Sequence, residues 1–133
     1  MNRESYVRPK PRPVARQFGD WFRVIHRGVG GWAFVLHRFT GSVLVGYLLL
    51  HFYFLSYLAR GPEAYQAMVA AMESPWLMAL EVLLIGAVVY HALNGLRLVL
   101  MAFNIGVDRH EAMFWASVVL SALLTAVAAV WMF

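Results

Sequence analysis

The chain has 133 residues, 62% of them hydrophobic and 14% charged, with a formal net charge of +4, whereas an ordinary soluble domain is about 45–50% apolar and about 25% charged. That balance argues against a soluble globular domain and for an integral membrane protein. With no cysteine in the sequence, disulfides, thiolate-held zinc and cysteine-ligated iron–sulfur clusters are excluded, so any metal must be held by histidine, by carboxylate or within a cofactor.

Residues 1–31 read as a basic, proline-rich arm ("VRPKPRPVAR") followed by a short interfacial stretch ("FGDWFRVIHRG"). The basic start is not followed by the apolar run of a cleavable signal peptide. Residues 32–133 form the membrane domain, with spans predicted over about 32–58, 75–103 and 112–133. Each reaches the roughly 20 residues that a bilayer-crossing helix needs. The expected fold is therefore all-α, with three transmembrane helices. Because three helices are too few to shield several polar groups, they are expected to form part of a larger heteromeric bundle. The breaks "ARGPEAYQAMVAAMES" and "NIGVDRHE" read as short polar connections, Pro75 and Trp76 as a helix start, and Asn104 to Gly106 as a stop. Trp32, Trp76 and Trp131 fall near span ends, as interfacial aromatics do.

Of the eleven Lys and Arg residues, Arg3, Arg8, Lys10, Arg12, Arg16, Arg23 and Arg27 precede the first span. The next connection has only Arg60, set against Glu63 and Glu73. Positive charge stays on the cytoplasmic side, which predicts a cytoplasmic N-terminus and a C-terminus on the far side of a prokaryotic inner membrane. The basic clustering is read as orientation, not as a nucleic-acid site.

Ionisable residues inside the spans carry the functional signal, since each costs on the order of 2.5–3.5 kcal/mol on insertion scales. The ones that matter most are His37, Arg38 and His51 in the first span and His91 and Arg97 in the second, with Glu81 nearer the far side. At about 1.5 Å per residue, His37 lies about 8 Å into its helix, and His51 lies about 21 Å further on and on nearly the same face. His91 falls near the membrane middle, about 10 Å from the level of His51, too far for both to ligate one iron. In "VVYHALNGLR", Ala87 and Gly95 flank His91 one turn either way and leave that helix face bare. A macrocycle could approach there, with Arg97 toward the cytoplasm to meet a propionate. The competing reading is that His91 bonds a neighbouring helix and the small residues serve packing.

"LHRFTG" at residues 36–41, "YHALNGLR" at residues 90–97 and a third span beyond them resemble the cytochrome b membrane-anchor subunit of succinate dehydrogenase, complex II of the respiratory chain. The resemblance runs from about Gly31 to Gly106. It implies a membrane subunit of a succinate:quinone oxidoreductase that catalyses nothing alone. A flavoprotein subunit carries the FAD, an iron–sulfur subunit carries the clusters, and a second membrane anchor completes the haem and quinone sites. It implies that His91 is an axial ligand of haem b, the opposite ligand coming from the second anchor, with His37, Arg38 and Arg97 near the propionates. Arg38, Trp32 and Ser42 are the expected contacts of the quinone, ubiquinone or menaquinone.

Two departures stand against the family pattern. Phe34 occupies the position where many members have a quinone-site serine, and an aspartate common after "GLR" is missing from "RLVLMAF", where Ala102 stands. His51 resembles the first-helix histidine of two-haem members and is a candidate ligand of a second haem; the alternative is a bond to Tyr47 or Tyr53. His26 and Arg27 read as interfacial anchors, His110 as a solvated loop residue, and Glu81 as able to reach water from the far side. Competing functions are a quinol:fumarate reductase anchor of the same architecture and a haem-free structural anchor. A small transporter ranks below both, because the third span has no ionisable residue beyond Glu111 at its edge.

Overall fold

The computed structural model describes residues 28–132, so the basic arm, His26 and Arg27 lie outside the described residues. Among those described there are helices and turns but no strands, and three helical segments are long and apolar enough to cross a membrane. Helix α1 spans Val29–Leu55 and runs on through a 3₁₀ turn, Ser56–Arg60. Helix α2 is Pro62–Met72, α3 is Pro75–Ala102 and α4 is His110–Met132. A 3₁₀ turn, Val107–Arg109, joins the last two.

Two boundaries differ from the sequence reading. The connection before the second span is not merely a polar break, because it contains α2. Pro62 opens this helix where a missing N–H does no harm, Glu63 lies in its first turn, and "AYQAM" supplies good helix formers. At 11 residues it is too short to span, so it lacks the long apolar signature by which the other helices were found. His110, expected in a loop, is instead the first residue of α4, although its side chain is exposed.

The stop at Asn104–Gly106 has a clear physical form. The Asn104 amide donates to the Met101 carbonyl and the Ile105 amide to the Leu100 carbonyl, both at 2.9 Å, which satisfies carbonyls the helix end would leave bare. Asn104 takes φ 63° and Gly106 φ 73°, left-handed values that asparagine and glycine tolerate better than other residues. The short reversal makes α4 an antiparallel neighbour of α3, its closest packing partner in the bundle.

That packing rests on small polar residues. Ser117, Ser121 and Thr125 recur at every fourth position of α4, and each hydroxyl donates to the carbonyl four residues earlier, at 2.9, 2.6 and 2.7 Å. Their polarity is thus satisfied within the helix, and their size lets backbones approach. Thr125 rests on Gly86, where a Cβ would come within 3.3 Å of its hydroxyl.

Among the described residues, burial is confined to one end of the bundle. The buried residues are Gly31, Ala33 and Thr40 of α1, Tyr90, Asn94 and Arg97 of α3, and Phe114, Ser117 and Ser121 of α4. All belong to the start of α1, the second half of α3 and the first half of α4, which antiparallel packing brings together. This is the end that holds His37 and His91.

Candidate functional site

The two histidine motifs share a design visible only once the helices are paired. In each, a histidine is followed four residues later by a glycine: His37 by Gly41 and His91 by Gly95. Because α1 and α3 run antiparallel, His37 sits over Gly95 and His91 over Gly41. A Cβ at Gly41 would stand 3.0 Å from Cε1 of His91, and one at Gly95 would stand 3.4 Å from Cε1 of His37. Between these bare patches the imidazoles stack face to face, centroids 4.0 Å apart and planes within 6°. Gly95, expected to clear space for a macrocycle, gives that space to the ring of His37.

Nδ1 of His91 lies 3.1 Å from the His37 carbonyl oxygen and 3.3 Å from the Thr40 hydroxyl. The same hydroxyl lies 2.8 Å from the Leu36 carbonyl and 3.0 Å from that of His37, so its single proton is committed to the backbone. Toward His91 both groups can therefore only accept, and Nδ1 must carry the proton. In the neutral ring Nε2 then holds the lone pair, and among the described residues it makes no hydrogen bond. Nδ1 of His37, by contrast, is buried without a partner.

Arg97 lies on the same helix but on another face. Only 4% exposed, it donates from Nε to the His110 carbonyl at 3.1 Å and from Nη1 to Oδ1 of Asn94 at 3.3 Å. Asn94, fully buried, reaches back from Nδ2 to the Ala33 carbonyl of α1 at 3.5 Å. One asparagine and one arginine thereby tie all three spanning helices together. Sequence reasoning missed Asn94, although an amide inside an apolar span was a signal for it. Tyr90, one turn before Asn94, is buried with its hydroxyl unpartnered.

The expected quinone contacts fall in two places. Arg38 and Ser42 share an exposed strip of α1, where the Ser42 hydroxyl donates to the Arg38 carbonyl at 3.0 Å. The Arg38 guanidinium lies 5.4 Å from the centre of the Phe34 ring, so Phe34 acts as a face for the cation. Trp32 points elsewhere. It lines an apolar cleft of about 330 Å³ with Val29 and Leu36 of α1 and Phe114, Trp115 and Val118 of α4.

His51 is apart from all of these. Its Nδ1 lies 3.4 Å from the Tyr47 hydroxyl, while Tyr53 pairs instead with Tyr57 at 3.2 Å. No cluster of three or more metal-ligating side chains occurs among the described residues, so an iron on His91 or His51 would need its other ligands from a porphyrin and from another chain.

Comparison with known proteins agrees with this architecture. Residues 8–130 match the model of the succinate dehydrogenase/fumarate reductase transmembrane subunit family. A succinate dehydrogenase hydrophobic membrane anchor subunit of Halobacterium salinarum is 37% identical over 107 residues, covering 80% of this chain and 74% of that protein. The succinate dehydrogenase 2 membrane subunit SdhC of Mycobacterium tuberculosis is 33% identical over 98 residues, covering 73% of this chain and 64% of that protein. With a match running through all three spans and both histidine motifs, the chain belongs to the succinate dehydrogenase/fumarate reductase transmembrane subunit family, as a membrane-anchor subunit.

Proposed function

We propose that this anchor holds haem b through Nε2 of His91 and helps form the quinone-reduction site of a succinate:quinone oxidoreductase. The observation that carries the reading is the pair of acceptors around Nδ1 of His91, the His37 carbonyl and the Thr40 hydroxyl. Two acceptors on Nδ1 leave the other nitrogen as a lone-pair donor, the arrangement that metal-ligating histidines adopt. The bare backbone at Gly41 gives the ring room, and the orphaned Nδ1 of His37 beside it suits a propionate or a bound water. A haem held here supplies one-electron storage between the iron–sulfur subunit and quinone.

The chain's own residues divide the remaining work. His37 stacks on His91, and with Arg38 it would meet propionates at this end of the bundle. Nε and Nη1 of Arg97 are engaged within the chain, so its part in this reading is to fix the helix that carries His91. Arg38 and Ser42 face outward together; the guanidinium can donate to a quinone oxygen as charge builds on it, while the Ser42 proton is given to the Arg38 carbonyl. The large exposed apolar surface of α1 is where the second anchor and lipid would lie. The flavoprotein and iron–sulfur subunits would dock on the side of the basic arm, cytoplasmic under the positive-inside rule.

Haem-to-flavin stoichiometry and the reduced-minus-oxidised spectrum of the purified complex test the reading. His91→Leu is expected to lose one b haem while flavin is kept. A complex with no b-type bands at all would establish a haem-free anchor and overturn the proposal. The same count decides His51: its replacement by Leu lowers the ratio if a second haem is held there, and leaves it unchanged if the contact with Tyr47 is its whole role.

A further inference from the structure

We infer that Thr40 and Gly41, the last two residues of "LHRFTG", are positioning residues for the imidazole of His91: Thr40 sets its proton and donor strength, Gly41 its place. The inference rests on His91 being a haem ligand, but it concerns residues of the opposite helix that need not touch the haem. Each acts through a different contact.

Thr40 is buried, and its hydroxyl faces two ways. The proton goes to a backbone carbonyl at 2.8 or 3.0 Å, which turns a lone pair toward Nδ1–H of His91 at 3.3 Å. Together with the His37 carbonyl at 3.1 Å, this gives the ring proton two acceptors. Electron density withdrawn from the N–H bond moves toward Nε2, making it a stronger donor to iron and favouring the ferric state. Serine can make the same contact; valine, of nearly the same shape, cannot.

Gly41 acts by having no side chain. Cε1, Nδ1 and Nε2 of His91 all lie within 3.9 Å of the point a Cβ would occupy, the closest at 3.0 Å. An alanine would push the ring away from α1 and weaken both acceptor contacts at once. Gly46, further along the same helix, has nothing within 4 Å of its Cβ position and serves as the matched control.

The test measures haem-to-flavin ratio and haem midpoint potential in complexes carrying Thr40→Val, Thr40→Ser, Gly41→Ala, Gly46→Ala and His91→Leu. Thr40→Val is expected to keep its haem and shift the ferric–ferrous preference about threefold toward ferrous, a rise of about 28 mV at 59 mV per tenfold for a one-electron couple. Thr40→Ser should restore the original potential, which a merely structural role would not require. Gly41→Ala should lose haem severalfold at constant flavin, and Gly46→Ala should lose none. If Gly41→Ala also lowers flavin, assembly has failed and the Thr40 pair alone decides. If His91→Leu abolishes the haem while Thr40→Val leaves both content and potential unmoved, this inference is overturned and the ligand assignment stands. If His91→Leu keeps its haem, the ligand assignment itself falls.

Discussion

The two ends of the bundle are built on different principles. At the end holding His37 and His91, every buried residue is small, aromatic or polar, and side-chain bonds cross between helices: Asn94 to Ala33, Arg97 to His110, His91 to His37. At the other end, α1 from Val43 to Leu55 is largely exposed, and its polar contacts, Tyr47 with His51 and Tyr53 with Tyr57, stay within one helix turn of their own chain segment. Between apolar helices in lipid there is little hydrophobic drive to associate, so polar bonds and close backbone approach carry the specificity. The tightly bonded end is thus the one this chain organises by itself, and the open end is left for lipid or another subunit to complete.

Substitutions can break or sharpen this contrast. The largest effect is expected from Asn94→Leu, which leaves the buried Arg97 cation without its amide partner and cuts the tie to α1; leaving a buried donor unsatisfied costs about 1–3 kcal/mol, and more for a charged group. The thermal unfolding midpoint of the solubilised complex should fall by many degrees. Next comes Ser121→Leu, which forces a large side chain between α3 and α4; overpacking of this kind costs about 1–3 kcal/mol. The same melt should show it, whereas Ser121→Ala should be nearly silent because the hydroxyl bonds only its own helix. Gly86→Ala, at the open end, should cost about 1 kcal/mol or less, because the Thr125 hydroxyl 3.3 Å from the new Cβ can give by a few tenths of an ångström. A large loss from Gly86→Ala, with little from Asn94→Leu, would reverse the contrast between the ends.

Much of this was legible in the sequence, and what was not has a physical reason. Length and apolarity located the three spans, and Asn104 with Gly106 marked a stop because few residues accept a left-handed backbone. His91 and His37 stood out because ionisable groups are rare in hydrocarbon. Their mutual stacking was not legible: counting residues put His91 near the membrane middle and about 10 Å from the level of His51, whereas its stacking on His37 sets the two about 21 Å apart, because the offset and rotation of one helix against another depend on packing that no single span encodes. For the same reason Gly95 read as an opening when it is a seat for His37, and Arg97, read as lying toward the cytoplasm to meet a propionate, gives Nε and Nη1 to His110 and Asn94. Helix α2 escaped because its helix-forming residues carry no apolar stripe long enough to stand out. The Ser117, Ser121 and Thr125 repeat was present in plain view, but it becomes meaningful only against Gly86.

The crossed arrangement of each imidazole above the other helix's glycine constrains how such a chain can change in length. Adding one residue to α1 between Arg38 and Thr40 would turn everything beyond it by about 100°, taking Gly41 out from under His91 while leaving His37 where it was. Adding residues between Arg60 and Pro75 would disturb neither seat, since that connection sets no rotational phase. Insertions and deletions should therefore accumulate between the helices and be purged within the two motifs, so that the pair is inherited as a single unit despite the long stretch of sequence separating its halves.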